Sequence, residues 1–334
     1  MHTHRSPMAV GLLVAIVVVA IQALLVPLFA GPAAHLGPRD LPIAVAGPPP
    51  ATQAVVDRLA AEHPGAFEID RVSGAAALDD AIRDRSVYGG IVVTPTGAEV
   101  HVASAAGPAV ATLLGQAAAG LQAPVRDVVP VHSGDPRGTG FGAGFLPLAL
   151  TSLLAGLLIF LGVRGRGARL TALLTFGVLA GFGGGAVLQY WLDVLPGDYL
   201  VNAAALGLFG VAVAATMTGL GAVLDKAGLA LGAVTVFLVG NALSAVSSAP
   251  ELLPQPWGAV GQWLPIGSGA TLLRSVAYFD GNGGATAALI LATYAVVGLA
   301  LVAVGRRGLA DRPAPVPVPG DGADRPVRAA ALAG

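Results

Sequence analysis

The sequence predicts an α-helical integral membrane protein with six transmembrane helices and a small external α/β domain between the first and second. Three observations lead there. The 334 residues are 55% hydrophobic and 11% charged, with a mean hydropathy of +0.76, whereas soluble domains carry about 25% charged residues. Six runs reach or approach the ~20 apolar residues that a bilayer core requires of a helix, near residues 8–30, 143–163, 170–190, 202–224, 228–248 and 285–305. Residues 31–142 interrupt them with lower hydrophobicity and most of the acidic residues.

The first unit, residues 1–30, is an N-terminal transmembrane helix. Arg5 precedes an apolar run that ends in the small residues of LFAGPAA (28–34), as a cleaved signal does. The run of about 22 residues is longer than the usual apolar core of a signal peptide, which favours an anchor.

Residues 31–142 read as an extracytoplasmic α/β domain. LPIAVAG (41–47) is a buried strand, and ATQAVVDRLAAEH (51–63) an amphipathic helix with Val55, Val56, Leu59 and Ala60 on one face. FEIDRVS (67–73) alternates as a strand does, and AALDDAIRDRS (76–86) is helical. VYGGIVV (87–93) and AEVHVAS (98–104) are two more strands joined across PTG. GPAVATLLGQAAAGL (107–121) closes the set as a helix with Pro108 in its first turn, where a missing N–H does no harm. Strands alternating with helices imply a small α/β fold. The chain has no cysteine, so this domain folds by burial alone.

Residues 143–307 form a five-helix membrane domain. Arg164, Arg166 and Arg169 follow the second span, Lys226 the fourth, and Arg306, Arg307 and Arg312 the sixth. The positive-inside rule puts these on the cytoplasmic side of the cell membrane, and Arg5 agrees, so both termini are cytoplasmic. WLDVLPGDYL (191–200) has two aspartates, no basic residue, and the Trp191 and Tyr199 of an outer interface. The run GFGGG (181–185), and Gly228 with Gly232, allow helices to approach closely. Gln189, Asn202, Thr216, Thr218, Asn241, Ser244, Ser247 and Ser248 can bond between helices, for about 0.6 kcal/mol each.

The stretch 249–284 is too long for a turn and too apolar for a free loop. Pro254, Pro256 and Pro265 divide it into WGAVGQWL (257–264) and SGATLLRSVAYF (268–279), two short helices, the second with Ser268 as N-cap. Leu272, Leu273, Val276 and Phe279 form its apolar stripe, and Trp257, Trp263 and Tyr278 are interface aromatics. The pair reads as a re-entrant hairpin in the outer leaflet. There Arg274 reaches lipid phosphates or pairs with Glu251 or Asp280; at the bilayer centre it would cost about 2.5–3.5 kcal/mol. Trp257, Trp263, Pro265, Arg274 and Tyr278 are the candidate gate. Residues 308–334 are Pro-rich and poor in large apolar side chains, a composition that predicts a disordered cytoplasmic tail.

Several chemistries find no residues to run them. No G-x-x-x-x-G-K-[ST] loop is present to cradle a phosphate chain. The net charge of -1 offers no basic footprint for nucleic acid. Without cysteine there is no thiolate for a metal, a cluster or a nucleophile. The six histidines lie outside the last five spans, so Ser268 has no intramembrane histidine to activate it. His2 and His4 are an isolated H-x-H. The middles of spans two to six carry no Asp or Glu, which argues against a proton-driven carrier, whose relay must change charge. The sequence thus predicts neither an enzyme nor a cofactor or metal on this chain.

The order of parts resembles a type-2 ABC exporter permease, in the branch that includes phage-infection-protein-like permeases. The residues that carry the resemblance are LPQPWGAVGQWLPIGSGATLLRSVAYFDGNGG (253–284), similar to that family's proline-bounded segment with a following arginine, and VYGGIVVTPTGAEVHVAS (87–104), similar to its external domain. The resemblance implies a permease working with a second permease half, as homodimer or heterodimer, and with a separate ATPase subunit. It would export a hydrophobic, lipid-linked or peptidic compound. The short surfaces such a subunit could face are Arg164, Arg166, Arg169 and the Asp225–Lys226 turn. The rival expectation is a non-transporting membrane protein whose external domain binds an envelope component or surface partner.

Overall fold

The computed structural model describes residues 7–305; the expected tail, Arg306, Arg307, Arg312, Arg5 and the H-x-H pair lie outside them. Helix α1 (Pro7–Ala34) runs past the expected end at residue 30, and no residue of its most apolar stretch is buried. The sheet domain follows as β1 (Leu41–Ala46), α2 (Pro49–Glu62), β2 (Phe67–Val72), α3 (Ala75–Arg83), β3 (Gly89–Thr94), β4 (Gly97–Val102), α4 (Pro108–Gly120) and β5 (Val125–Asp127). Its strand order is β2-β1-β3-β4-β5. Only the β3–β4 pair is antiparallel, as the short PTG connection requires.

Side chains alternate across this sheet with the period of two that a strand imposes. Leu41 and Ile43 of β1 meet α2 and α4 on one face, whereas Ala44 and Ala46 meet Leu78 and Ile82 of α3 on the other. Strand β5 is three exposed residues, too short to show an alternation, and the sequence pattern does not reveal it.

The membrane body consists of α5 (Thr139–Gly162), α6 (Arg166–Ala186) ending in a π-helical turn at Val187–Trp191, and α7 (Tyr199–Leu224). Then come α8 (Lys226–Gly232), a π-helical stretch Ala233–Val239, and α9 (Gly240–Leu243), which together make one rod. A single 3-10 turn (Pro250–Leu252) leads to α10 (Trp257–Gln262), α11 (Pro265–Tyr278) and α12 (Ala285–Val304). Among the described residues six helices are long and apolar enough to cross a membrane: α1, α5, α6 with its π turn, α7, the α8–α9 rod and α12. The chain is a multi-pass helical membrane protein. Helix α7 is its axis: 61% of its most apolar stretch is buried, against 22–28% in the other four spans of this body.

Small residues set the spacing around that axis. A Cβ on Gly181 of α6 would lie 2.3 Å from the carbonyl oxygen of Ala203 on α7, so the two backbones touch. The expected role of Gly228 is similar: its Cβ would stand 2.0 Å from the Leu220 carbonyl, inside the tight α7–α8 corner. Thr218 ties α7 to α5 by donating to the Gly156 carbonyl at 2.9 Å.

Four sequence expectations need correction. The fifth span ends at Leu243, five residues before the expected residue 248, and residues 244–249 leave the helical path. Helix α11 begins at Pro265, with Leu264 as its N-cap; Ser268 sits inside its first turn and donates to the Gln262 carbonyl. Proline at the first helical position supplies the right φ and lacks only an N–H that would be unpaired there. The α11 helix is also no peripheral element, since eleven of its fourteen residues are buried. Finally, Arg169 is not a surface residue. It is 1% exposed, donates to the Val163 and Phe160 carbonyls at 3.0 and 3.2 Å, and lies over the Phe160 ring. It closes the C-terminal end of α5, where carbonyls lack intrahelical donors.

Candidate functional site

The sheet domain and the membrane body are locked together along one seam. The Gly37 and Arg39 amides donate to the Leu252 and Glu251 carbonyls, both at 3.0 Å. Ala249 and Leu252 bury their side chains in the sheet domain's own core. The turn between α3 and β3 meets the hairpin: Arg85 donates to the Thr271 carbonyl at 3.3 Å and stacks over Phe279 at 5.2 Å. Asn282 donates to the Arg83 carbonyl.

A cavity of about 330 Å³ lies in this seam. One wall is the α3–β3 turn with Arg85 and Tyr88. Opposite are the non-helical segment from Ser244 to Ser248, the Pro250–Leu252 turn with Glu251, and the α11 face with Thr271 and Arg274. The Tyr88 hydroxyl donates to Glu251 Oε2 at 2.9 Å, a bond between residues far apart in sequence.

Arg274 is 6% exposed. Its guanidinium donates to the Val246 carbonyl at 2.8 Å and stands 4.7 Å from the centre of the Phe141 ring. The expected snorkelling to lipid and the expected ion pairs with Glu251 or Asp280 are absent among the described residues. Packing explains this. Helix α11 turns its Arg274 face toward α5 and the unwound 244–248 segment, where a free carbonyl and an aromatic face stand in for water.

The other candidate gate residues divide. Trp257 and Trp263 are exposed at 49% and 67%. Pro265 is the buried start of α11. Tyr278 donates to the Val194 carbonyl at 3.3 Å, tying α11 to the α6–α7 loop. Of the five, only Arg274 lines the cavity. Arg85, Tyr88 and Phe141 were not legible as site residues, because nothing local marks a contact that spans more than a hundred positions. Arg164, Arg166 and Lys226 are exposed, and Asp225 is partly buried, at the ends of the α5–α6 and α7–α8 connections.

Burial, and then the neighbouring Glu251 carboxylate, push the Tyr88 phenol above its ordinary value. Burial lowers Arg85. Because the folded phenol holds its proton more tightly than the unfolded one, its contribution is complete below about pH 10 and is lost as pH rises above it. Tyr88→Phe is therefore expected to lower stability by about 1–3 kcal/mol at pH 8, with the gap from wild type narrowing above pH 10. Thermal melting of the detergent-solubilised protein at pH 8 and pH 11 checks it; a constant gap would refute the linkage.

Comparison with protein-family models, curated proteins and solved structures finds no match to this chain. Fold and site therefore define a class: a multi-pass helical membrane protein with an α/β domain docked over a polar cavity.

Proposed function

We propose that the chain is the membrane permease subunit of an ABC-type exporter. It moves a hydrophobic, lipid-linked or peptidic compound out of the cell, paired with a second permease half and powered by a separate ATPase subunit. In this reading the sheet domain lies outside the cell membrane and both termini lie inside, as the arginine and lysine distribution favours. The observation that carries the proposal is the cavity walled by both bodies. A compound bound there touches the sheet domain and the hairpin together, so a change in their separation changes its binding, which is the coupling alternating access needs. The hairpin suits that motion. At 1.5 Å per residue α11 is about 21 Å long, short of the ~30 Å bilayer core, and the glycine-rich α10 beside it is shorter still. Arg274 is the gate residue that meets cargo; Trp257 and Trp263 hold the hairpin at the interface.

A second reading has an observation of its own. The α5–α6 connection is only residues 163–165, the α7–α8 corner is Asp225 alone, and Arg169 is buried. These leave few side chains for an ATPase to grip, which favours a non-transporting protein whose external domain binds an envelope component. Affinity purification of the full chain from native membranes in mild detergent separates the two. The exporter reading expects an ATPase subunit to co-purify, and to be lost when Arg164, Arg166 and Lys226 are replaced by glutamate. Recovery of the chain without any ATPase would count against export.

A further inference from the structure

Two cavities lie back to back across the unwound segment that follows α9. The first is the polar one just described. The second, also about 330 Å³, is bounded by α1 and α5, with Phe29, Pro32, Phe145 and Leu146 among its walls. Both share Ser244, Ala245 and Ser248. A strip of small side chains thus divides a space lined by two guanidiniums from a space lined by aromatic and aliphatic groups beside an otherwise unpacked apolar helix.

The charge pattern of the polar side is specific. Each guanidinium spends one hydrogen bond on the protein, Arg85 on Thr271 and Arg274 on Val246. A guanidinium offers more N–H donors than one acceptor can use, and its planar fork matches a carboxylate or phosphate. Among the described residues Glu251 is the one carboxylate in the lining; it accepts from Tyr88 and forms no ion pair with either arginine. Two cations face the space with donors to spare; Glu251 lies within electrostatic reach of Arg85 but shares its hydrogen bond with Tyr88 rather than with either guanidinium.

We propose that this pair of cavities is the binding site for an anionic amphiphile. Its phosphate or carboxylate head sits between Arg85 and Arg274, and its apolar portion straddles the strip from Ser244 to Ser248 to lie against α1 and α5. This deepens the export reading by naming the substrate class, and it rests on that reading for the ligand's fate but not for its binding. A zwitterionic head brings a cation into the same space as two arginines and is disfavoured. A free anion reaches the arginines but leaves the apolar side empty.

Native mass spectrometry of the full chain in neutral detergent tests this with three probes: phosphatidylglycerol, phosphatidylcholine and inorganic phosphate. The expected result is one phosphatidylglycerol per chain, held at least about tenfold more tightly than phosphatidylcholine, with inorganic phosphate weaker than either. R85Q and R274Q should each weaken phosphatidylglycerol binding about tenfold or more. E251Q should strengthen it, because it removes the only negative charge in the lining among the described residues while keeping an oxygen for Tyr88. That gain cannot come from misfolding, so the test survives if an arginine variant fails to fold. Equal binding of the two lipids would overturn the proposal, as would an E251Q variant that binds no better. Inorganic phosphate binding as tightly as phosphatidylglycerol would overturn it in favour of a soluble anion. Selective lipid binding without a co-purifying ATPase would leave this site standing and sink only the exporter reading.

Discussion

Gly261→Val is expected to detach α10 from α9 and destabilise the membrane body by more than about 3 kcal/mol, above the usual cost of overpacking a core. A Cβ at this position would lie 1.7 Å from the carbonyl oxygen of Leu243. The obstacle is backbone, and it is the last residue of α9, so no rotamer change relieves the clash. The neighbouring positions remove the other escape routes. Gly258 sits against the Pro250 carbonyl, 1.9 Å from where its Cβ would be, and Gly267 against the carbonyl of Gly261 itself at 2.2 Å. Helix α10 is therefore pinned on three sides by main chain, and moving it displaces the residues on both flanks of the 244–256 segment that walls the cavity. Gly183→Val is the control: it lies in the glycine run of α6, yet its Cβ would meet nothing within 4 Å. The expected order of melting temperatures in detergent is wild type and Gly183→Val together, with Gly261→Val far below. If Gly261→Val melts with the other two, the close approach of α10 to α9 is wrong.

The contrast between those glycines shows what a sequence can and cannot declare. Local periodicity was enough for the strands at 41–46, 67–72, 89–94 and 97–102, because each alternates or runs apolar over a full strand length. It was enough for six spans, because a lipid-facing helix must be apolar over a fixed length. It was not enough for the end of the fifth span. Residues 244–248 are small enough to continue the helix, yet they leave it: the Val246 carbonyl accepts from Arg274 and the Ser244 carbonyl from the Gln262 side chain. Arg274 was legible as an anomaly, since a charge in an apolar segment needs a partner. Its partners, the Val246 carbonyl and the Phe141 ring, carry no charge and leave no mark in the composition. Arg85 looked like an ordinary residue at the end of a helix and Tyr88 like one at the start of a strand, because the face they meet lies over 160 positions away.

Asp79→Ala is expected to cost the sheet domain about 1–3 kcal/mol and, through it, to weaken the cavity. Asp79 is 6% exposed on α3, with Oδ1 2.6 Å from His101 Nδ1 on β4. His101 is fully buried, and Arg126 reaches Asp79 Oδ2 from β5 at 3.2 Å. Truncating the carboxylate leaves the imidazole N–H facing a dry interior without that acceptor, and stranding a buried donor costs about 1–3 kcal/mol. Arg126 is half exposed and turns to water, so the loss rests on His101. Asp79→Asn preserves the volume and an acceptor oxygen, so it should lose much less. Replacing both partners, Asp79→Leu with His101→Leu, should recover part of the alanine loss, since no buried polar group is then stranded. The effect on the site follows from chain geometry: α3 ends at Arg83, and the next five residues bring Arg85 and Tyr88 to the cavity. A helix loosened from the sheet takes that wall with it. Hydrogen exchange should therefore quicken in α3 and β4 of Asp79→Ala, and phosphatidylglycerol binding should fall although no lining residue has changed. Faster exchange with undiminished binding would show that the α3–β3 turn is held by the hairpin alone, through Thr271 and Phe279, and that the sheet domain merely rests on the site it covers.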